Sequence, residues 1–520
     1  MSSDQVSFFS KLLANDTDSS KAKAFVRSQT ETLIKPATKR EIIPPQGPIR
    51  LHALDLLMPG INVPLPMVFK ITSPAANSSG TSNGAHHEPA ETVHHCIQNG
   101  DSDTISKVNS SEKFEFIVEK LKGSLAEALE LYPLVAGSIH VSDSELTIVC
   151  DGRGAAFMTE VQDRPYAEEE HQLDRLSGTS LIPVDYSKPL FFAKLTLFSC
   201  GTIVMIVSMY HRVADLTSYM DFIHAWAQLS RGEDLTIPET WSRNLNVAAS
   251  STIPPSMPGI IILPPSAGPP PMPAIRPGDG LRWFISEENL SKLKTDCMAV
   301  ISNNDLPGKS KWISSADAFT ALVWGAMTRA RHAISTRVPL LTSNDSELES
   351  LGVAADGREL VGLGSSAPSG TGSWGPSPYF GNFNLSLAVY SERSDLLEST
   401  IEATSRVALN IRQTIIDQTT PEAIVARIAF LEAHAQDKIA LEGDCRSTNW
   451  SKYDLTKVDF GFGEDVQRLG TGLGIKNPYP AGMFLIVKSG GRIQVATTVE
   501  KEADELLKKD ALLTKYAEVL

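Results

Sequence analysis

An α/β fold in two units is what this 520-residue sequence predicts, and three observations predict it. A buried-strand pattern passes into a helical one across Gly201 to Leu229, the same alternation of strand and helix returns near the carboxyl end, and a proline-rich stretch at 249–278 separates the two. Thr202 to Met209 is rich in β-branched and apolar residues. From Leu216 the apolar residues fall at 216, 219, 220, 223, 226 and 227, which is helical spacing.

Taken in order, residues 1–22 read as a flexible polar extension with at most a short helix at Val6 to Leu13. A first domain is expected over 23–248. Its opening segments, FVRSQTETLIKP from Phe25, IRLHALDLLMPG and VPLPMVFKI, have strand-like composition broken by proline and glycine. Residues 73–111 are too rich in Ser, Asn, Gly and acidic side chains to bury a core and read as a mobile insertion. A helix is expected from Glu112 to Leu131, stopped by Pro133 and Gly137, with short strands at Ser144 to Cys150 and Lys194 to Phe198. The prolines of 249–278 exclude helix and suit an extended crossover. Beyond it, over 279–520, helices are expected at Ser286–Met298, Ser315–Arg331, Asp395–Gln413 and Pro421–Ile439. A Gly/Ser/Pro loop at 364–378, a strand pair at Met483 to Val499 and a closing helix complete the second domain, and part of it near 455–480 is expected to pack with the first.

Composition narrows the function. With 42% hydrophobic residues the chain has ample material for cores, and 47 Lys and Arg against 61 Asp and Glu give a net charge of −14. No basic stripe runs through it, so no nucleic-acid partner is expected. The amino terminus lacks the pattern of a secretory signal, and no apolar run is long enough to span a bilayer, so no membrane association is expected either. Five widely spaced cysteines, at 96, 150, 200, 297 and 445, fit free thiols in the cytoplasm.

At the strand-to-helix junction His211 and Asp215 precede Thr217 and Ser218, either of which could cap the helix. The junction has two readings, a site of chemistry or a strand-end histidine held by a local hydrogen bond, and the short spacing alone does not favour the first. An imidazole titrates near neutral pH, so it can take a proton from a hydroxyl or amine and return it within one cycle. His86, His87, His94, His95 and Cys96 have no zinc-like spacing, and no metal site is expected. The DFG at Asp459 to Gly461 lacks a kinase's companion motifs, and GKS at 308–310 lacks a P-loop's first glycine, with Asn303 in its place.

An ordered series of motifs runs nearly the whole length: LIKP, LHALD (51–55), SLAEALELYPLVAG (124–137), HRVAD (211–215), AWAQLSRG (225–232), SSADAFTALVWGAMTRAR (314–331), ADGR (355–358), YFGN (379–382), STNW (447–450) and DFGFG (459–463). In this the chain resembles the BAHD acyltransferases, which move an acyl group from coenzyme A to a hydroxyl or amine. It departs from them at Leu216, where glycine is usual, at Phe462, where tryptophan is usual, and at Glu464, where a basic residue is common. These departures resemble fungal members of the family more than plant ones.

The resemblance implies two similar chloramphenicol-acetyltransferase-like α/β domains with mixed sheets and an active-site channel between them. It implies His211 as general base in a ternary complex without an acyl-enzyme, and Thr448 and Trp450 as oxyanion donors. Asp215 would then be structural, paired with Arg358. Lys309, Lys311, Ser314, Ser315, Asp459, Phe460 and Gly461 are the implied coenzyme contacts. Acyl-CoA, with acetyl as the expected acyl group, would be a co-substrate with no permanently bound cofactor, a small-molecule alcohol or amine of secondary metabolism the acceptor, and the protein a monomer. Two other readings stand beside this one: a free-standing relative of condensation domains, and a repurposed non-catalytic binding protein.

Overall fold

The structure is a computed structural model that describes residues 25–72, 103–142, 145–167, 171, 173–178, 185–235, 243, 253–264, 280–303, 310–334, 347–363, 379–475 and 479–520. The expected amino-terminal extension, residues 73–102 of the expected insertion, the 364–378 loop and Lys309 lie outside the described residues, as does most of the proline-rich crossover.

The amino-terminal half contributes β1 (Val26–Ile34), β2 (Ile49–Arg50), β3 (Asn62–Ile71), β4 (Ser138–Ser142), β5 (Glu145–Val149), β6 (Ala155–Gln162), β7 (Phe191–Phe198) and β8 (Thr202–Tyr210). The remainder contributes β9 (Ile260–Leu263), β10 (Leu281–Ile285), β11 (Leu348–Val353), β12 (Leu387–Glu392), β13 (Lys438–Leu441), β14 (Cys445–Asp454), β15 (Val466–Gly470), β16 (Met483–Ser489), β17 (Arg492–Thr498) and β18 (Glu518–Val519). Two mixed sheets result. The first has the order β1-β6-β7-β8-β3-β15 and the second β12-β11-β14-β16-β17-β10-β18. In the first only β6 and β7 run parallel, and in the second β14 is parallel to both its neighbours.

All nine residues of β8 are buried, because it lies inside the first sheet with both faces covered. Its alternation divides the load. Ile203, Met205, Val207 and Met209 enter the main core beneath the helices Asp103–Leu131 and Leu216–Ser230, while Val204 and Ile206 face a smaller cluster with Phe198, Leu173 and Ile475. Trp226 joins the two helices, its indole N–H reaching the Leu121 carbonyl at 3.2 Å.

The two halves share apolar surface. In β16, Phe484 and Ile486 enter the core of the second half, whereas Leu485 and Val487 enter that of the first. Trp450 and the Phe460–Phe462 segment also sit in the first core, and β15 adds a strand to the first sheet beside β3.

Five features differ from the sequence expectation. The helix expected from Glu112 begins at Asp103, so residues 103–111 of the expected insertion belong to it. LHALD, read as strand-like, forms a short helix, Ala53–Leu57, because His52 and Asp55 cap each other's backbone N–H groups. The Leu216–Ser230 helix is capped by Asp215 itself, which accepts from Ser218 N at 3.2 Å, and not by Thr217 or Ser218. The expected 395–413 helix is two, Arg393–Leu397 and Ile401–Gln418, the second capped by Thr400. The helix from Pro421 ends at Ala433, and Ile439 lies instead in β13, paired with Ile262 of β9.

Candidate active site

The seam between the halves brings the junction of β8 with the 216–230 helix against the segments 354–358 and 379–383. His211 follows directly on β8, and its N–H donates to the Ile61 carbonyl at 2.9 Å. Burial pushes its imidazole below the ordinary 6.5, against the attraction of Asp215, so the ring is neutral at physiological pH. Its Nδ1 is buried and has no hydrogen-bond partner among the described residues.

Asp215 does not hold that ring. Its two oxygens accept from Arg358 Nη1 and Nη2, both at 2.9 Å, and from the backbone N–H groups of Ser218 at 3.2 Å and Phe383 at 2.7 Å. A carboxylate with four donors is fully occupied. Arg358 is 1% exposed, and burial opposes its charge, but Asp215 and Asp356 keep it cationic. It also donates to the Gly381 carbonyl at 2.8 Å and the Ser218 hydroxyl at 3.1 Å. Burial works against ionisation of Asp356 too, yet the Arg358 guanidinium at 3.0 Å and the Thr217 hydroxyl at 2.7 Å hold its carboxyl below the usual range.

A second buried ion pair grips the other side of the His211 loop. Arg243 lies 2.7 Å from Asp55 and also donates to the carbonyls of Arg212 and Val213. Asn382 then ties this pair to the loop, donating from its side chain to Asp55 Oδ1 and to the His211 carbonyl, each at 2.9 Å. Asp55 and Asn382 stand in quoted motifs without having been singled out. Arg243 lies in a polar segment with no periodicity to mark it.

Thr448 and Trp450 share one face of β14, two residues apart, and the indole N–H of Trp450 donates to Thr448 Oγ1 at 3.0 Å. Ser447, beside Thr448, pairs with Val353 of β11, the strand that leads to Arg358. Asp459, Phe460 and Gly461 form a docking loop. The Asp459 carbonyl accepts from Arg231, the Phe460 carbonyl from Ser230 at 2.8 Å, and the Phe460 ring meets Trp226 edge-on at 5.2 Å. Phe462 stacks on Phe460 and meets Phe69 of β3 at 5.1 Å.

Ser314 and Asp317 cap the start of the Ser315–Ile334 helix, the Ser314 N–H reaching Asp317 at 2.6 Å and the Asp317 N–H reaching the Ser314 hydroxyl at 3.1 Å. Ser315 is the first residue of that helix, half-buried, and Lys311 is exposed just before it. Between them Trp312 is 50% exposed, with Lys294 and Arg412 each 5.0 Å from its ring centre.

Comparison with known proteins places this geometry. The pattern that defines the Transferase family matches residues 105–513. The chain is 27% identical over 425 residues to a hydroxycinnamoyltransferase of Narcissus pseudonarcissus, an alignment covering 78% of this chain and 89% of that protein. It is 26% identical over 367 residues to the shikimate O-hydroxycinnamoyltransferase of Nicotiana tabacum, covering 66% and 77%. Its backbone resembles F. graminearum TRI101 complexed with coenzyme A and T-2 mycotoxin, with a TM-score of 0.66 at 16% identity over 91% of this chain and 99% of that one. Vinorine synthase resembles it at a TM-score of 0.58 and 16% identity, covering 94% and 99%. At such identities the structural likeness is one of fold: two mixed α/β halves meeting at a seam.

Proposed function

The chain belongs to the Transferase family, the BAHD acyl-CoA-dependent acyltransferases, and on that premise we propose that His211 is the general base that activates a small-molecule hydroxyl or amine for direct attack on the thioester of acyl-CoA. The observation that carries the reading is the half-buried His211 imidazole, its pKa lowered by burial, whose loop is held by groups from both halves while Asp215 is committed elsewhere. The neutral ring takes the proton of the acceptor's O–H or N–H as its oxygen or nitrogen bonds to the thioester carbon. The carbonyl oxygen becomes an oxyanion. When the C–S bond breaks, the imidazolium returns its proton to the departing thiolate, leaving an ester or amide, free coenzyme A and a neutral histidine. Both substrates are present at once, so no cysteine or serine nucleophile takes part.

Thr448 is the oxyanion donor in this reading. Because Trp450 donates to its oxygen, the hydroxyl hydrogen is left to point away from the indole, and Trp450 acts by orienting it. Lys309, Lys311, Ser314 and Ser315 are proposed to flank the nucleotide end of coenzyme A, where an acidic protein must supply local positive charge. Asp459, Phe460 and Gly461 shape the channel by docking and do not touch the reacting atoms. The domains divide at 248 and 279, with the segment near 455–480 packed on the first.

No described helix is long and apolar enough to cross a membrane; we place the enzyme in the cytoplasm as a monomer of secondary metabolism. Acetyl remains the proposed donor group. Hydroxycinnamoyl is the second reading, favoured by the names of the relatives in sequence. The experiment is a mass-spectrometric product screen with acetyl-CoA and p-coumaroyl-CoA against a panel of alcohols and amines. Transfer from acetyl-CoA supports the first reading and transfer from p-coumaroyl-CoA alone the second. No acyl transfer with either donor, in protein that binds neither, overturns both.

A further inference from the structure

Asn382 joins the Asp55–Arg243 ion pair to His211, while its neighbours Gly381 and Phe383 contact Arg358 and Asp215, and every polar atom of its side chain is accounted for except one. It is fully buried. The two hydrogens of its Nδ2 go to Asp55 Oδ1 and to the His211 carbonyl, each at 2.9 Å. That settles which amide atom is which, since only the nitrogen can donate to a carboxylate and a carbonyl. The remaining atom, Oδ1, is a buried acceptor with no partner among the described residues, and the buried Nδ1 of His211 is equally without one. A buried donor or acceptor left open has given up its hydrogen bond to water with nothing in its place, so these two have reason to meet. Asn382 is also among the groups that raise the His211 pKa against the larger effect of burial.

We infer that Asn382 is a positioning residue for His211: its Nδ2 anchors the His211 carbonyl while its Oδ1 accepts the Nδ1–H, which leaves the Nε2 lone pair as the base. The inference rests on the general-base reading of His211. The carbonyls of His211 and Ala214 also attract the ring proton, and any oxygen acceptor at Nδ1 selects the same tautomer. The charged groups around this arrangement are Asp215, Arg358 and Asp356 on one side and Asp55 and Arg243 on the other, each already paired.

The test compares the pH dependence of kcat/KM for the parent enzyme, Asn382→Ala and Asn382→Asp, with chemical denaturation to fix the folded fraction. Asn382→Ala removes both the anchor and the acceptor. Its kcat is expected to fall roughly 100-fold, the usual cost of a misplaced catalytic group, with KM for acyl-CoA unchanged and the acid limb moved to lower pH. Asn382→Asp keeps an acceptor of the same shape but puts a carboxyl where a donor faced Asp55. The two carboxyls share one proton and bring that pair's negative charge beside the ring, so its acid limb is expected to move to higher pH. A residue that only filled space would not shift the limb in opposite directions. Acid limbs at the parental pH in both variants overturn the inference, as does a shift of both in the same direction. If Asn382→Ala fails to fold, Asn382→Asp decides alone, and an unmoved acid limb there overturns it. Parental turnover in a His211→Ala variant would instead overturn the general-base reading beneath it.

Discussion

Replacing Asp215 by alanine should cost stability before it costs chemistry. The carboxylate receives four hydrogen bonds, two from Arg358 and one each from the Ser218 and Phe383 backbones. Removing one partner of a buried ion pair typically costs ~3–5 kcal/mol, because the other charge stays buried. Asp356 remains 3.0 Å from Arg358 and offsets part of this, which places the ion-pair loss near the lower figure, about 3 kcal/mol. Losing the helix cap adds ~1 kcal/mol. The expected total is about 4 kcal/mol in urea unfolding followed by tryptophan fluorescence, with turnover per folded molecule falling because the 379–383 segment is released from the His211 loop. Asp215→Ala protein that unfolds at the parental urea concentration while losing only its chemical step would refute the reasoning and return Asp215 to the role of orienting the imidazole.

Other outcomes follow from the same contacts. Thr448→Val should lower kcat by roughly 10²–10³-fold, the usual loss for one oxyanion donor, and steady-state kinetics should show KM for acyl-CoA little changed. Gly461 has φ of +65° and an added Cβ would lie 2.9 Å from the Arg231 side chain, so Gly461→Ala should destabilise by about 1–2 kcal/mol, read by thermal unfolding. His171 and His224 are pushed to about 4, first by burial and then by Arg164 and Arg231 respectively. The unfolded chain therefore binds protons that the folded chain refuses, and denaturation at a series of pH values should show stability declining from about 6.5 towards 4.

Much of this architecture was legible because periodicity carries it. The run from Thr202 to Tyr210 and the helical spacing from Leu216 are local patterns, and both elements stand where those patterns put them. The resemblance linked Asp215 to Arg358, 143 residues away, a distance that no local pattern spans. Local composition failed at LHALD, where apolar residues concealed a reciprocal cap between His52 and Asp55. It also failed at Arg243, whose partners at 55, 212 and 213 meet it only after folding. A buried salt bridge is a property of the folded seam, and a single arginine in a polar segment carries no sign of it.

The general-base assignment is tested most directly by His211→Gln, which keeps a polar side chain of similar size but cannot take up a proton. With acyl-CoA and a turned-over acceptor, release of the coenzyme A thiol should slow by roughly 10²–10⁴-fold, while the affinity for acyl-CoA, measured by calorimetry, stays at the parental value. Thiol release at the parental rate with affinity unchanged would contradict it.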